Sequence, residues 1–191
     1  MVSSSQSQRL MEKTAKNIIL GVTASIAIYK SCSLVRRLRE CGLAVHVVMT
    51  KEAQELIKPI VFQSLSANRV YSAGLFDAPD AWEIEHVALA TKADLILIAP
   101  ATANIIAKLA AGICDDLLSC TVCASRAKIL IAPAMNENMY NHKITQSNIA
   151  KLKACGYKFI LPHKGMLACG LAGAGCLAET AEIIKEVKKL L

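Results

Sequence analysis

The chain has 191 residues, within the ~100–200 typical of one domain, and 54% of them are hydrophobic, which excludes a disordered chain. Aromatic residues are only 4%, so the apolar mass is Ala, Leu, Ile and Val, as in buried parallel strands flanked by helices. Net charge is +7, yet Lys and Arg are scattered, and the two clusters (Arg36, Arg37, Arg39 and Lys185, Lys188, Lys189) lack interleaved aromatics, so no nucleic-acid partner is expected.

Residues 1–15 read as a Ser/Gln-rich tail, and residues 16–191 as one domain. Residues 17–22 form an apolar strand, and the turn at Thr23, Ala24 and Ser25 leads into a helix over 26–41. Its inward stripe is Ala27, Leu34, Val35 and Leu38, and Gly42 ends it. Residues 43–49 are a second strand, after which Thr50 opens a short helix that Pro59 stops; residues 60–80 give no assignable pattern. Residues 83–92 are a short helix carrying His86, and 94–99 an uninterrupted apolar strand buried on both faces. A turn at Pro100, Ala101 and Thr102 enters a helix through Ala110, and another helix spans 115–125. Residues 128–132 are a buried strand, 133–140 a loop, 142–155 a helix stopped by Gly156, and 157–161 the last strand. A glycine-rich segment without periodicity covers 162–178, read as a mobile flap, and an amphipathic helix closes the chain at 179–191. Strands separated by helices at this interval predict an α/β fold, a single Rossmann-like (flavodoxin-like) parallel sheet with helices on both faces.

Ligands of open parallel sheets bind beyond the carboxyl ends of the strands. Four such turns carry small or hydroxylated residues: Thr23–Ser25; Thr50 to Ala53; Ala101, Thr102 and Asn104; and Ala134 to Asn136. Hydroxyls and amides at helix starts suit an anion such as a phosphate, and they equally serve as ordinary helix caps. Gly21-Val-Thr-Ala-Ser-Ile lacks the later glycines of a dinucleotide fingerprint, and no P-loop is present, so a mononucleotide-sized phosphate ligand is expected. Asn136 could hold a carboxylate without adding charge, or simply favour a turn. Four glycines between Gly165 and Gly175 surround Cys169, whose thiol could donate a proton, act as nucleophile or do nothing.

His86 near a helix start is read as a hydrogen-bonded structural residue, and Met135 with Met139 as packing. Cys120-x-x-Cys123 lies inside a helix and has no second pair, so it is read as core or half-buried thiols with no metal bound. Eight cysteines in a chain this long do not make a disulfide scaffold, and no apolar run reaches the ~18 residues of a membrane span. Lys13 and Lys16 before an apolar stretch resemble a signal peptide only superficially, since residues 1–8 are polar and no small-residue cleavage site follows; a cytoplasmic protein with reduced thiols is expected.

In combination, the motifs carry more. The run from Gly21 to Lys30, His86, the segment from Ala99 to Asn104 with Lys108, Gly112 and Asp116, Pro133-x-Met-Asn-x-x-Met139, and Leu167-Ala-Cys-Gly-x-x-Gly-x-Gly175 occur in the order found in the homo-oligomeric flavin-containing cysteine decarboxylases. Within that family the chain resembles the stand-alone phosphopantothenoylcysteine decarboxylases, with no synthetase domain expected after residue 191. The resemblance covers about residues 16–180 and rests chiefly on the two later motifs.

The resemblance implies FMN bound noncovalently between subunits of a homo-oligomer, a trimer or dodecamer. Its phosphate would lie on Thr23, Ala24 and Ser25 and on the Ala101–Thr102 turn, with Thr50, Ala53, Asn104 and Ala134 against ribityl or flavin. His86 would be the catalytic histidine, Asn136 the carboxylate-binding asparagine and Cys169 the proton donor; Met139 and Ala168 would also meet substrate. The implied reaction is decarboxylation of 4′-phosphopantothenoylcysteine to 4′-phosphopantetheine in coenzyme A biosynthesis. It would run through a thioaldehyde, which gives the departing carboxylate's electrons a C=S group, and an aminoenethiol. Cys176 stands where many relatives have Arg, which leaves the substrate phosphate's partner open; Lys164 or another subunit's base could serve. The alternatives are a peptidyl-cysteine decarboxylase, a flavin prenyltransferase, or a non-catalytic regulatory binding subunit of the same fold.

Overall fold

The computed structural model describes residues 15–72, 84–166, 170 and 172–191. The expected tail at 1–14, most of the segment between Tyr71 and Ile84, and both Ala168 and Cys169 lie outside the described residues.

Six strands form one sheet: β1 (Asn17–Val22), β2 (Ala44–Met49), β3 (Val70–Tyr71), β4 (Leu95–Ala101), β5 (Lys128–Pro133) and β6 (Lys158–Phe159). Their order is β3-β2-β1-β4-β5-β6 and every pairing is parallel. The doubly wound sheet expected from the βα alternation is present. Its order reverses between β1 and β4, where the connections leave in opposite directions and open a crevice.

The strands read as unbroken apolar runs because each feeds two cores. Ile18, Leu20, Leu95, Leu97, Leu130 and Ala132 face one side, where α1 (Ile28–Glu40), α3 (Pro59–Ser66) and α9 (Thr180–Leu190) cover them with Leu34, Phe62 and Val187. Ile19, Ile96, Ile98, Ile129 and Ile131 face the other, beneath α4 (Glu85–Lys92), α5 (Ala103–Ala111), α6 (Leu117–Ala124) and α8 (Lys143–Ala154). A buried Leu or Ile contributes roughly 1.5–3 kcal/mol, so alternating burial on both faces makes these central strands the firmest part of the molecule.

Gly21 has a packing role: a Cβ there would come within 2.6 Å of Leu118 Cδ1, so the missing side chain lets α6 settle on β1. Asp116 caps α6, accepting from Ser119 N–H at 2.7 Å, while Ser119 Oγ accepts from Asp116 N–H at 3.2 Å.

Three expectations are corrected. Pro59 does not merely stop the short helix α2 (Ala53–Leu56); it is the first residue of α3, where its missing N–H costs nothing. The loop after β5 contains the short helix α7 (Glu137–Asn141). The glycine-rich segment contains an antiparallel hairpin of β7 (His163–Met166) and β8 (Ala172–Cys176), with Gly165 opposite Gly173. Among the described residues no helix is long and apolar enough to cross a membrane.

Candidate functional site

Because all strands of the main sheet run parallel, the turns after β1, β2, β4 and β5 emerge at one edge. Two adjoining cavities open there. One, of about 470 Å³, is lined by Ala24, Ser25, Tyr29, Lys30, Ala134, Asn136, Gly175 and Cys176 among others. The second, of about 260 Å³, is lined by Thr23, Thr50, Glu52, Asn104, Lys108 and Asp116 among others. Ala24, Thr102, Ala103 and Met139 line both, so the two cavities meet along the start of α5.

The first floor element is a clamp between two turns. The buried Thr23 hydroxyl donates to the Pro100 carbonyl at 2.8 Å and accepts from the Thr102 N–H at 3.1 Å. This ties the end of β1 to the end of β4 across the reversal point. Thr23 was expected to touch a ligand phosphate; its hydroxyl is instead committed to shaping the cradle. Ser31 adds a second tie, donating to the Ala99 carbonyl at 2.9 Å.

At the start of α1 the Ala27 N–H donates to Ser25 Oγ at 3.4 Å and the Ile28 N–H to the Ser25 carbonyl at 2.9 Å, and Ser25 and Ala24 line the larger cavity beside it. Backbone donors and the helix dipole there favour an anion. Thr102 caps α5, its oxygen accepting from Ile105 N–H at 3.4 Å. The same hydroxylated turn therefore caps a helix and lines both cavities.

Asn136 caps α7, its Oδ1 accepting from Asn138 N–H at 2.9 Å. The residue also lines the larger cavity. Met139 reaches both cavities and is half exposed, so the packing role expected of it is wrong; Met135 does pack on the core. Ala53 and Ala101 are buried and line neither cavity: the Ala53 N–H is capped by Thr50 Oγ1 at 3.4 Å, and the Ala101 carbonyl accepts from Ala134 N–H at 3.0 Å. They support the cradle from behind. Thr50, Asn104 and Ala134 do reach it. His86 is half buried on α4 and lines neither cavity, so the chain's own fold does not bring it to Asn136.

The smaller cavity sets one cation, Lys108, among the carboxylates of Glu52 and Asp116. Lys108 Nζ reaches Asp115 at 2.8 Å and Asp116 at 3.0 Å. Burial pushes the Asp116 carboxyl up, but the Ser119 N–H and Lys108 outweigh it and hold the group below the usual carboxylate range. Burial likewise lowers Lys108, and its two carboxylate partners overcome it, so the ammonium stays charged.

The sequence reading passed over Lys30 and Glu137. Lys30 lines the larger cavity while its Nζ contacts Glu179 at 3.1 Å. Its place in the run after the first turn was the available signal. Lys164, suggested as a phosphate partner, is exposed on β7 and lines neither cavity. Cys176, by contrast, does face the larger one. Cys120 and Cys123 lie within α6, and Cys123 is exposed rather than buried. Cys120 Sγ approaches the Cys114 carbonyl at 3.2 Å, and burial, with Cys123 and Cys120 beside it, pushes the Cys114 thiol up to about 11. A thiol held protonated in this way is a poor nucleophile.

Residues 5–191 match the Flavoprotein family. The chain is 44% identical over 178 residues to the probable phosphopantothenoylcysteine decarboxylase of Streptococcus mutans, covering 92% of this chain and 99% of that protein. It is 45% identical over 174 residues to the coenzyme A biosynthesis bifunctional protein of Bacillus subtilis, covering 91% of this chain but only 43% of that longer relative. Among solved structures, a cysteine-to-serine mutant of PPC decarboxylase complexed with pantothenoylaminoethenethiol superimposes with a TM-score of 0.82 at 29% identity, over 92% of this chain and 97% of that one. The FMN-dependent cysteine decarboxylase SpaF follows, with a TM-score of 0.79 at 29% identity over 91% and 94% of the two chains. With the strand-end cradle and these matches together, the chain belongs to the Flavoprotein family.

Proposed function

We propose that this chain is an FMN-dependent decarboxylase that converts 4′-phosphopantothenoylcysteine to 4′-phosphopantetheine and CO₂ in coenzyme A biosynthesis, as a cytoplasmic homo-oligomer. The observation that carries the reading is the match along almost the whole length of the Streptococcus mutans relative, whose name states that activity.

The residues present suit a flavin mononucleotide. Two adjoining cavities of a few hundred Å³ are the size of small-molecule sites, and the start of α1, whose helix dipole favours an anion, borders the larger one through Ala24, Ser25 and Ala27. Ala24, Ser25 and Thr102 would meet the phosphate, with Thr50, Asn104 and Ala134 against ribityl and ring. Ala53 and Ala101 would hold these turns in place from behind, and Thr23, on the wall of the smaller cavity, would clamp two of them together. The bound flavin would supply reversible two-electron chemistry, which the side chains cannot.

The chain's own residues then orient and protonate. Asn136 would direct its amide N–H groups at the substrate carboxylate without adding a charge that would hold CO₂ back. Lys30 is a cation on the cavity wall, and it would pair with the substrate's phosphate, the role left open by Cys176. Cys169 would return a proton to carbon, a role open to a thiol because the unperturbed group, with a pKa of ~8.5, is mostly protonated at neutral pH. Met139 and Ala168 would flank the substrate.

His86 needs a second copy. Ile26 and Tyr29, on the rim of the larger cavity, are 61% and 62% exposed, more than their apolar character favours in an isolated chain. A neighbouring subunit laid over this rim would cover them and bring its own His86 to the site, in the trimer or dodecamer implied by the resemblance. Two variants test the assignment. Cys169→Ser should bind flavin and release CO₂ yet accumulate the oxidised enethiol; normal phosphopantetheine yield would remove Cys169 from the reaction. His86→Asn should keep flavin and lose turnover, and unchanged turnover would make His86 structural.

A further inference from the structure

We propose that Glu137 is a positioning residue: its carboxylate holds strand β8 against the Asn136 turn and so sets the wall of the larger cavity opposite Asn136. Glu137 Oε1 accepts from the Ala174 N–H at 3.0 Å. Ala174 lies in the middle of β8, which presents Gly175 and Cys176 to the cavity. A second bond, Met135 N–H to the Gly175 carbonyl at 3.0 Å, runs from the residue before Asn136 to the residue after Ala174. Asn136 is therefore bracketed by the two residues that grip β8.

The glycines of β8 are cut to this grip. A Cβ at Gly173 would meet Glu137 Oε2 at 2.5 Å and Cδ at 2.8 Å. One at Gly175 would collide with the Met135 carbonyl oxygen. The spacing thus leaves space for the carboxylate at one residue and for the turn's backbone two residues on. A solvated surface glutamate would require neither absence. Glu137 is half buried, and a backbone N–H bonded to an ionised carboxylate is among the stronger hydrogen bonds a protein makes. β8 pairs on its other edge with β7, a four-residue strand whose His163 reaches Glu182 of α9 at 2.6 Å, so the Glu137 contact holds the edge of the hairpin that faces the Asn136 turn.

The inference deepens the proposed decarboxylase reading and rests on it for the identity of the substrate. The test compares Glu137→Ala with Glu137→Gln in the flavin-loaded protein. Gln keeps an oxygen able to accept from Ala174; Ala does not. In the Ala variant, amide hydrogen exchange in a peptide covering residues 172–178 should accelerate about tenfold, and KM for 4′-phosphopantothenoylcysteine should rise about tenfold while flavin content stays unchanged. The Gln variant should return both values toward the parent. Unchanged exchange in the Ala variant would overturn the positioning role. So would accelerated exchange with unchanged KM, or a Gln variant no better than Ala. If the parent protein shows no turnover at all, the decarboxylase reading fails instead, and the exchange comparison still decides whether Glu137 holds the strand.

Discussion

Thr102 N–H donates to the Thr23 hydroxyl at 3.1 Å, joining the turn after β1 to the turn after β4 at the point where the strand order reverses. The hydroxyl passes the bond on to the Pro100 carbonyl at 2.8 Å, so one buried side chain satisfies both a donor and an acceptor. Thr23→Val keeps the shape and removes both bonds. Leaving a buried polar group unpaired costs about 1–3 kcal/mol, and in a chain of this size each kcal/mol is about 2–4 °C in Tm. A Tm lower by several degrees is therefore expected, with weakened FMN binding in a fluorescence titration, and Thr23→Ser should behave nearly as the parent. Equal Tm and flavin affinity in the Val variant would show that the clamp is dispensable.

Two glycine substitutions should separate stability from site geometry. Gly21→Ala sets a methyl 2.6 Å from Leu118 Cδ1 in the core, and overpacking of this kind costs about 1–3 kcal/mol. It should lower the denaturation midpoint measured by circular dichroism. Gly173→Ala drives a methyl into the Glu137 carboxylate and should leave the midpoint nearly unchanged while raising KM for the substrate. The reverse pattern would contradict the placement of both residues.

His46 gives a pH dependence unrelated to catalysis. Burial, reinforced by the nearby Lys92, lowers its pKa from 6.5 to about 4, and its Nε2 lies 3.2 Å from Asn17 Oδ1. The unfolded chain takes up this proton at a higher pH than the folded one. The stability contributed is thus full above about pH 6.5 and lost as pH falls towards 4. Thermal unfolding of the parent should show Tm falling through this window, and His46→Gln should flatten that fall. An identical slope in the variant would assign the acid sensitivity to other groups. Asp94 acts lower on the scale: the Asn17 N–H and Lys16 hold its carboxyl below the usual range, so its contribution disappears only when the acid is strong enough to protonate it.

A shared site predicts complementation. His86→Asn and Cys169→Ser subunits, each unable to form 4′-phosphopantetheine alone, should regain that activity when refolded together, because some sites would draw an intact His86 from one copy and an intact Cys169 from the other. Random assortment of a 1:1 mixture would give about a quarter of the parent rate. A mixture as inactive as its components would place both residues in one subunit's site.

The central strands were legible because Leu95 to Ile98 and Ile129 to Ile131 are apolar without a break, which only a strand buried on both faces requires. Helix ends marked by Gly42 and Gly156 were legible too, each with a positive φ that glycine accommodates. The hairpin was not: β7 and β8 contain Gly165, Gly173 and Gly175 in place of the alternating side chains that announce a strand, and they hold together through backbone bonds and Glu137. Pro59 was misread because proline both ends and begins helices, and only the residues after it distinguish the cases. At the site, the four strand-end turns were located correctly, but not the division of labour within them. Ala53 and Ala101 have the residue types of ligand contacts yet line neither cavity, and Thr23 borders the smaller one while its hydroxyl is engaged in the clamp, distinctions set by tertiary neighbours rather than by spacing.

The most direct measurement is an absorbance spectrum of the purified protein followed by mass spectrometry of its reaction with 4′-phosphopantothenoylcysteine. A yellow protein releasing FMN on denaturation, and substrate converted to 4′-phosphopantetheine with evolution of CO₂, is the expected result. Protein that remains colourless after incubation with FMN, or a flavin-loaded protein that returns the substrate intact, would contradict the account.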